Sequence, residues 1–264
     1  MIYSRPYHVH RYTYMKLSLH SALLPGAFID NAATYPQNGI GQVQLHRQSL
    51  GLPDEEALIP PSLLSYVKDT GEREQLIFDS LAFELDPVYA DDTTFATRLT
   101  QLGRAIELAE GLGVRLINLD GPRQTANAPD KATLIERLRR LMAATSDTRL
   151  RFAFQPVREG ELSGSVQTRR LLDQVKDERL QVILDPAALR EDPTMGDFDR
   201  EISKEIDWLS DSLAGVYVRE NTADPINWRF PRLRLDAVGY DGPFIIRELQ
   251  TDIQGAIGQL EGSR

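Results

Sequence analysis

A carboxylate that directly follows a short apolar run is the residue best placed to do chemistry. Asp185 comes after the run from Val182 to Leu184 and just before Pro186. A continuous apolar run bounded by such residues is typical of a strand buried on both faces, and proline ends it because it cannot donate to a ladder. At the carboxyl end of a parallel strand, Asp185 would lie where α/β barrels hold their catalytic groups. Alternatively, it only caps a short helix that begins at Ala187.

Eight short apolar runs read as strands, separated for the most part by amphipathic helical segments. The runs span residues 16–20, 43–46, 76–78, 114–119, 151–155, 180–184, 215–219 and 243–247. The clearest helix is predicted over 92–112, where Phe95, Leu99, Leu102 and Ile106 recur at helical spacing. Strands that alternate with helices form parallel βαβ units, and eight such units predict one α/β domain, a (β/α)₈ barrel. The alternative, a doubly wound sheet, lacks a GxGxxG motif after any strand.

The composition is typical of one globular domain, with 41% hydrophobic and 26% charged residues among 264. We expect residues 1–14 to be a poorly ordered polar and aromatic arm, and residues 15–264 to form the barrel. The net charge of −9, without a block of like charge, disfavours a nucleic-acid surface. The absence of cysteine excludes disulfides and thiolate metal sites. Neither a membrane span nor a signal peptide is recognisable, so we expect a cytoplasmic protein.

Several stretches resemble the xylose isomerase-like TIM barrels, which include sugar isomerases, epimerases and endonuclease IV-type DNA repair enzymes. The stretches are RAIELAEGLGVRLINLDG (104–121), RFAFQP (151–156), LQVILDPAAL (180–189), VYVRE (216–220) and INWRFPRLRLDAVGYDGPFIIRE (226–248). They cover roughly the last two thirds of the chain. The DNA repair branch needs a histidine-rich zinc site, and two of the four histidines here lie in the N-terminal arm. The resemblance therefore implies a protein that acts on a small polyhydroxylated carbonyl compound.

The resemblance also implies a divalent cation, Mn²⁺, Mg²⁺ or Zn²⁺, near the barrel axis. Its usual ligands end the later strands: Glu on the fifth, Asp on the sixth, His on the seventh and Glu on the eighth. Here Gln155 replaces the first Glu, Asp185 is kept, and Tyr217 replaces the His. The substrate-contacting His three residues after the Asp is replaced by Ala188. An amide oxygen can bind a hard cation but cannot act as a base. The sequence is therefore compatible both with a metal-bound and with a metal-free site.

The eighth strand departs by one residue. Counted from Gly242-Pro243, the expected Glu falls on Arg247, and Glu248 comes one position late. Such an offset moves a side chain to the other face of the strand, so Glu248 could be a ligand only if a bulge corrects the register. If Arg247 points inward, its guanidinium would replace the cation and pair with Asp185.

The first four strands add further candidate residues around the mouth. His20 and His46 end the first two strands and either contact a ligand or are packing residues. Asn118 and Asp120 share a face of the fourth strand and, with the polar residues of the fifth and sixth strands, would form a ring that holds sugar hydroxyls. The alternative for Asp120 is a plain turn with Gly121.

Two hypotheses of function remain. In the first, the protein is a sugar or sugar-acid isomerase or epimerase in which Asp185, Gln155 and Glu248 hold a metal and Glu248 is the base. In the second, it is a metal-free, non-catalytic relative that binds a small anionic ligand or a protein partner. Arg219 would neutralise an acidic ligand group or, as we slightly favour, form a salt bridge with Glu220 or Glu248. Homo-oligomer formation stays open.

Overall fold

The eight predicted strands form a closed barrel in which each strand runs parallel to the next. The computed structural model describes residues 15–52, 58–83, 92–119, 130–156, 164–192, 196–220 and 225–261. The strands are β1 (Leu17–His20), β2 (Gln42–His46), β3 (Ile77–Phe83), β4 (Leu116–Leu119), β5 (Arg151–Phe154), β6 (Leu180–Leu184), β7 (Leu213–Arg219) and β8 (Phe244–Glu248). The N-terminal arm of residues 1–14 lies outside the described residues.

Helices surround this barrel and connect its strands. They are α1 (Phe28–Asn31), α2 (Thr34–Gln37), α3 (Pro61–Arg73), α4 (Asp92–Leu112), α5 (Lys131–Ala144), α6 (Gly164–Val175), α7 (Pro186–Arg190), α8 (Phe198–Leu209), α9 (Arg229–Ala237) and α10 (Ile253–Glu261). In α4 the predicted apolar face is the buried one, with Phe95, Leu102 and Ala109 almost inaccessible. Gly113, with φ of 75°, ends the helix in a left-handed conformation that glycine adopts without a steric penalty. No helix of the described part of the chain is long and apolar enough to cross a membrane.

One prediction of local structure was wrong. Strand β3 does not end at residue 78 but continues to Phe83, because Asp79 and Ser80 lie within the strand and the apolar Leu81-Ala82-Phe83 prolongs it. Between β1 and β2, residues 28–37 contain the single-turn helices α1 and α2. The extension of β3 brings the buried hydroxyl of Ser80 into the barrel.

Alternation along the strands separates two layers inside the barrel. The lower layer is a small apolar cluster, and its members are Leu116, Ala153, Ile183, Ala214, Tyr217 and Ile245. Two residues further along the same strands, polar side chains follow at Asn118, Gln155, Asp185, Arg219 and Arg247. Because side chains of a strand repeat on one face every second residue, these polar groups point toward the same axis. The larger hydrophobic core lies between the strands and the helices.

Three register shifts modify this alternation. Between β6 and β7, Val182 pairs with Leu213 and Ile183 pairs with Gly215, so Ala214 is an extra residue in β7. Between β2 and β3, Val43 pairs with Phe78 and Gln44 pairs with Ser80, so Asp79 is an extra residue in β3. Between β7 and β8, Val218 pairs with Ile246 and Arg219 pairs with Glu248, which makes Arg247 an extra residue in β8. Such bulges redirect side chains next to functional sites.

Candidate functional site at the barrel mouth

Asp185 is the centre of the polar layer, and its carboxylate is surrounded by N–H donors. Its side chain is only 4% exposed. Oδ2 accepts a hydrogen bond from Nε2 of Gln155 at 2.8 Å, and Oδ1 accepts one from the backbone N–H of Ala188 at 3.0 Å. Nε of Arg219 lies 3.2 Å from Oδ1 and 3.1 Å from Oδ2. Asp185 therefore follows the end of a buried strand at the mouth, and its carboxylate also caps α7.

Arg219 extends this pair into a network of carboxylates. Its Nη1 and Nη2 donate to Oε1 and Oε2 of Glu191 at 3.1 and 3.0 Å, a two-pronged contact that suits the planar guanidinium. Nη1 also lies 4.0 Å from Oε2 of Glu248. Burial by itself would lower the pKa of Arg219, but the charges of Asp185 and Glu191 outweigh it and raise that pKa above the ordinary value. The arginine is thus held firmly in its charged form.

The sequence assigned the partner of Asp185 to the wrong arginine. Arg247 does point into the barrel, as expected, but its Nη1 lies 3.1 Å from Oε1 of Gln44. The same nitrogen lies 3.1 and 3.3 Å from Nδ1 and Nε2 of His20. Its Cζ atom stacks over the ring of Tyr217, 5.3 Å from the ring centroid. Arg247 therefore contacts the β1–β2 side of the mouth, whereas Arg219 pairs with the carboxylate of β6.

The bulge in β8 explains how two consecutive charged residues both reach the mouth. Arg247 keeps the inward direction of Ile245, two residues before it. The register shift then pairs Glu248 with Arg219, and its half-exposed carboxylate lies near the guanidinium. The sequence allowed Glu248 to be a metal ligand only if a bulge corrects the register, and β8 does contain that bulge. The neighbour of its carboxylate, however, is the guanidinium of Arg219.

Of the two salt bridges predicted as alternatives for Arg219, the one with Glu248 is present at 4.0 Å, whereas Glu220 has other partners. Its buried carboxylate accepts hydrogen bonds from the backbone N–H groups of Gln250 and Thr251 at 2.7 and 2.8 Å. The hydroxyl of Thr251 donates to its other oxygen at 2.5 Å. Burial opposes the charge, but these hydrogen bonds prevail and lower the pKa of Glu220. Glu220 thus fastens the segment before α10 to the end of β7.

The two strand-end histidines lie side by side in the mouth. Both are buried, and their rings meet edge to face with centroids 5.3 Å apart. His20 lies 2.9 Å, through Nδ1, from Oε1 of Gln44. His46 accepts a hydrogen bond at Nδ1 from the backbone N–H of Gln48 at 3.3 Å.

The polar ring predicted from the fourth strand is realised in part. Nδ2 of Asn118 donates to Oγ of Ser80 at 3.4 Å, and Nε2 of Gln44 donates to the same oxygen at 3.3 Å. Asp120 lies outside the described residues. Sequence reasoning missed Gln44, Ser80 and Glu191. Gln44 could have been found, because it lies two residues before His46 and so shares its face.

The described residues at the mouth do not match the ligand shell of a divalent cation. A hard cation requires several oxygen lone pairs directed at one point. At Asp185 the neighbours are instead N–H donors, and the amide of Gln155 directs its NH₂ group, not its oxygen, at the carboxylate. Across the described residues, no three His, Asp or Glu side chains are arranged to hold a metal ion. The guanidinium of Arg219 supplies the positive charge that balances Asp185.

With this geometry in place, the chain can be compared with known proteins. A family model described as the xylose isomerase-like TIM barrel matches residues 32–260, and the chain belongs to this family. No curated protein sequence matches it.

Solved structures share the fold at low sequence identity. One is a 3-keto-D-glucoside 4-epimerase from E. coli, at 14% identity and a TM-score of 0.73, with 94% of this chain and 98% of that one covered. A D-psicose 3-epimerase from Clostridium cellulolyticum H10 matches at 13% identity and a TM-score of 0.71, with 94% and 96% covered. A xylose isomerase-like TIM barrel/4-hydroxyphenylpyruvate dioxygenase fusion protein matches at 17% identity and a TM-score of 0.73. The match covers 94% of this chain but only 42% of the fusion protein.

Proposed function

We propose that this protein is a metal-independent relative of the sugar isomerases and epimerases, which takes a small polyhydroxylated carbonyl compound, a sugar or a sugar acid, into the barrel mouth. The observation that carries the proposal is the ion pair between the partly buried Arg219 and the buried Asp185. It supports a mouth in which a guanidinium takes the place that a divalent cation has in catalytic members of the family.

An arginine at this position offers part of the chemistry that such a reaction needs. Moving a proton next to a carbonyl group builds negative charge on the carbonyl oxygen, and N–H donors with a fixed positive charge stabilise that charge. Arg219 and Arg247 supply two such guanidinium groups, oriented by Glu191 and by Tyr217 respectively. Glu248, half exposed and close to Arg219, is the carboxylate proposed as the base.

The proposal is tested by thermal melts of chelator-treated protein with a panel of aldoses, ketoses and their sugar acids, each with and without Mn²⁺. Binding to the native state raises the melting temperature by linkage. We expect at least one compound to raise it equally in both conditions, and Mn²⁺ alone to leave it unchanged. A melt raised by Mn²⁺ alone, or a sugar effect that requires it, would overturn metal independence.

Turnover is then measured by proton NMR in D₂O, as exchange of the hydrogen next to the carbonyl group of the bound compound. We expect Glu248→Gln to abolish exchange and to leave the ligand-induced rise in melting temperature intact. Glu201→Gln is the matched control, because this half-buried glutamate lies on α8 and pairs with Lys204. If Glu248→Gln exchanges as fast as the wild type, another group is the base.

A second candidate function is binding without catalysis, which the two inward arginines favour. Arg219 and Arg247 together make the mouth suitable for a small anionic ligand. A sugar acid that raises the melting temperature but shows no exchange in D₂O would support this alternative, whereas a neutral sugar that binds equally well would contradict it.

A further inference from the structure

A chain of hydrogen bonds runs from the mouth into the barrel, and its direction can be deduced from donor chemistry alone. It passes from Arg247 to Gln44, from Gln44 to Ser80, and from Ser80 to Asp79. His20 joins the chain at Gln44. The side chains of His20, Gln44 and Ser80 are buried, and a buried hydrogen-bonding atom normally meets a partner of the opposite kind.

The orientation of the Gln44 amide follows from Arg247. A guanidinium has only donors, so the Gln44 atom 3.1 Å from Nη1 of Arg247 must be the amide oxygen. The NH₂ group of Gln44 then points at Ser80 and donates to its Oγ at 3.3 Å. Ser80 Oγ also receives a hydrogen bond from Asn118. Its own proton is therefore directed at Oδ1 of Asp79, 3.3 Å away.

The protonation of His20 follows in turn from Gln44. Nδ1 of His20 lies 2.9 Å from the same amide oxygen, and two acceptors would repel at this distance, so Nδ1 must carry a proton. Nη1 of Arg247 lies at nearly the same distance from both ring nitrogens, so it is not aligned for a hydrogen bond in the ring plane with either of them. An imidazolium would bring a second positive charge against that guanidinium, so the neutral ring is expected.

We infer that Gln44, oriented by Arg247 and by Ser80, holds His20 in the neutral Nδ1–H tautomer and thereby makes Nε2 its proton-accepting nitrogen. This assigns Gln44 the role of a positioning residue. The tautomer does not depend on the proposed function, because it follows from contacts of the protein with itself.

The test is a long-range proton–nitrogen NMR correlation of the full chain labelled with ¹⁵N-histidine, without sugar and without added metal. The four histidines are few enough to resolve, and His20→Gln identifies the signal of interest, with His46→Gln as a check on the assignment. We expect Nδ1 of His20 to be protonated and Nε2 to be unprotonated at neutral pH. A proton on Nε2, alone or together with Nδ1, overturns the inference.

Variants of Gln44 then test its role. Gln44→Met removes the amide oxygen, and we expect the Nδ1–H form of His20 to fall from nearly all molecules to a minority. Gln44→Glu restores an acceptor at this position and should restore the Nδ1–H tautomer. Gln48→Met, at an exposed position, is the control and should change nothing. If Gln44→Met retains the wild-type tautomer, Gln44 does not position His20. Since no ligand is present, these results stand or fall separately from the sugar-binding experiments.

Discussion

The partly buried Arg219 and the buried Asp185 form an ion pair, with Nε 3.1 Å from Oδ2, between the ends of two adjacent strands of the barrel. The pair joins β7 to β6, and Glu191 and Gln155 complete the hydrogen bonds on either side. An ion pair of this kind is costly to break, since removing one partner leaves the other charge without compensation. The mouth of the barrel should therefore respond strongly to changes at these positions.

Arg219→Met should destabilise the protein by about 3 kcal/mol, because it leaves the carboxylate of Asp185 buried without its cation. Urea unfolding monitored by circular dichroism measures the loss. The double variant Arg219→Met/Asp185→Asn should recover part of it, since no charge then stays unpaired. Arg104→Met is the control, because its ion pair with Glu107 is exposed and should contribute less than about 1 kcal/mol. Equal losses for both single variants would contradict the argument.

Glu220→Gln should weaken the attachment of α10. The amide would place an NH₂ group against backbone N–H donors that now meet a carboxylate, and we expect a loss of about 2 kcal/mol in the free energy of unfolding. The lowered pKa of Glu220 means that its carboxylate stabilises the fold above the pKa of an unfolded glutamate and that this contribution is lost as the pH falls through the folded pKa. Urea titrations of both proteins from neutral to acidic pH should show their difference shrinking; a constant difference would contradict this assignment.

Asp79 should make stability depend on pH in the opposite sense. Burial raises its pKa from 3.8 to about 7, and the hydrogen bond from the hydroxyl of Ser80 lowers it only in part. Its Oδ2 is buried and accepts no hydrogen bond from the described residues, although the residue as a whole is partly exposed. The folded state holds the proton more tightly, so this contribution to stability is complete below pH 3.8 and is lost up to about pH 7.

Asp79→Asn should remove this dependence. Relative to wild type, the variant should gain stability as the pH rises, by an amount on the order of 4 kcal/mol between about pH 4 and pH 7. Thermal melts across this range measure the difference. Tyr240→Phe is the control. Burial and the charges of Asp79 and Asp241 raise the pKa of Tyr240 above its ordinary value, so this residue does not ionise between about pH 4 and pH 7 and its replacement should leave the pH dependence of stability unchanged. A difference independent of pH would show that Asp79 ionises normally.

Gly71→Ala should destabilise the contact between α3 and β3. A methyl group at residue 71 would lie 2.6 Å from Cζ of Phe78, whose ring packs edge to face against Phe28 at 5.5 Å. Overpacking of this kind costs roughly 1–3 kcal/mol. Gly103→Ala is the matched control in α4, since nothing lies within 4 Å of its added methyl group; helix propensity favours this change by up to about 1 kcal/mol. The midpoints of urea unfolding should shift in opposite directions.

Much of the fold follows from local patterns. The period of the apolar residues predicted every strand of the barrel, and proline or polar residues marked most of their ends. Strand β3 was read too short because Asp79 and Ser80 interrupt its apolar run, although the bulge and the buried interior accommodate both. Because the strand was predicted too short, Ser80 was not recognised as a residue of the barrel interior, where its hydroxyl links Gln44 to Asp79.

The site was less predictable than the fold, and the two arginines show why. Alternation correctly indicated that Arg247 points inward. Which arginine meets Asp185 depends on the stagger between neighbouring strands and on the bulge in β8, and neither is encoded in the pattern of one strand. Glu191 was missed for a similar reason, since α7 brings it back toward the end of β7.

Because Arg247 is an extra residue in β8, its deletion would change which side chain of this strand points into the mouth. If the codon for Arg247 were deleted, Glu248 would follow Ile246 directly and take the inward position that the arginine holds now. The mouth would lose one positive charge, and the carboxylate of Glu248 would move from beside Arg219 to the inward position without any side chain being exchanged. A loss of three nucleotides would therefore convert this barrel into one with a second acidic residue facing its axis.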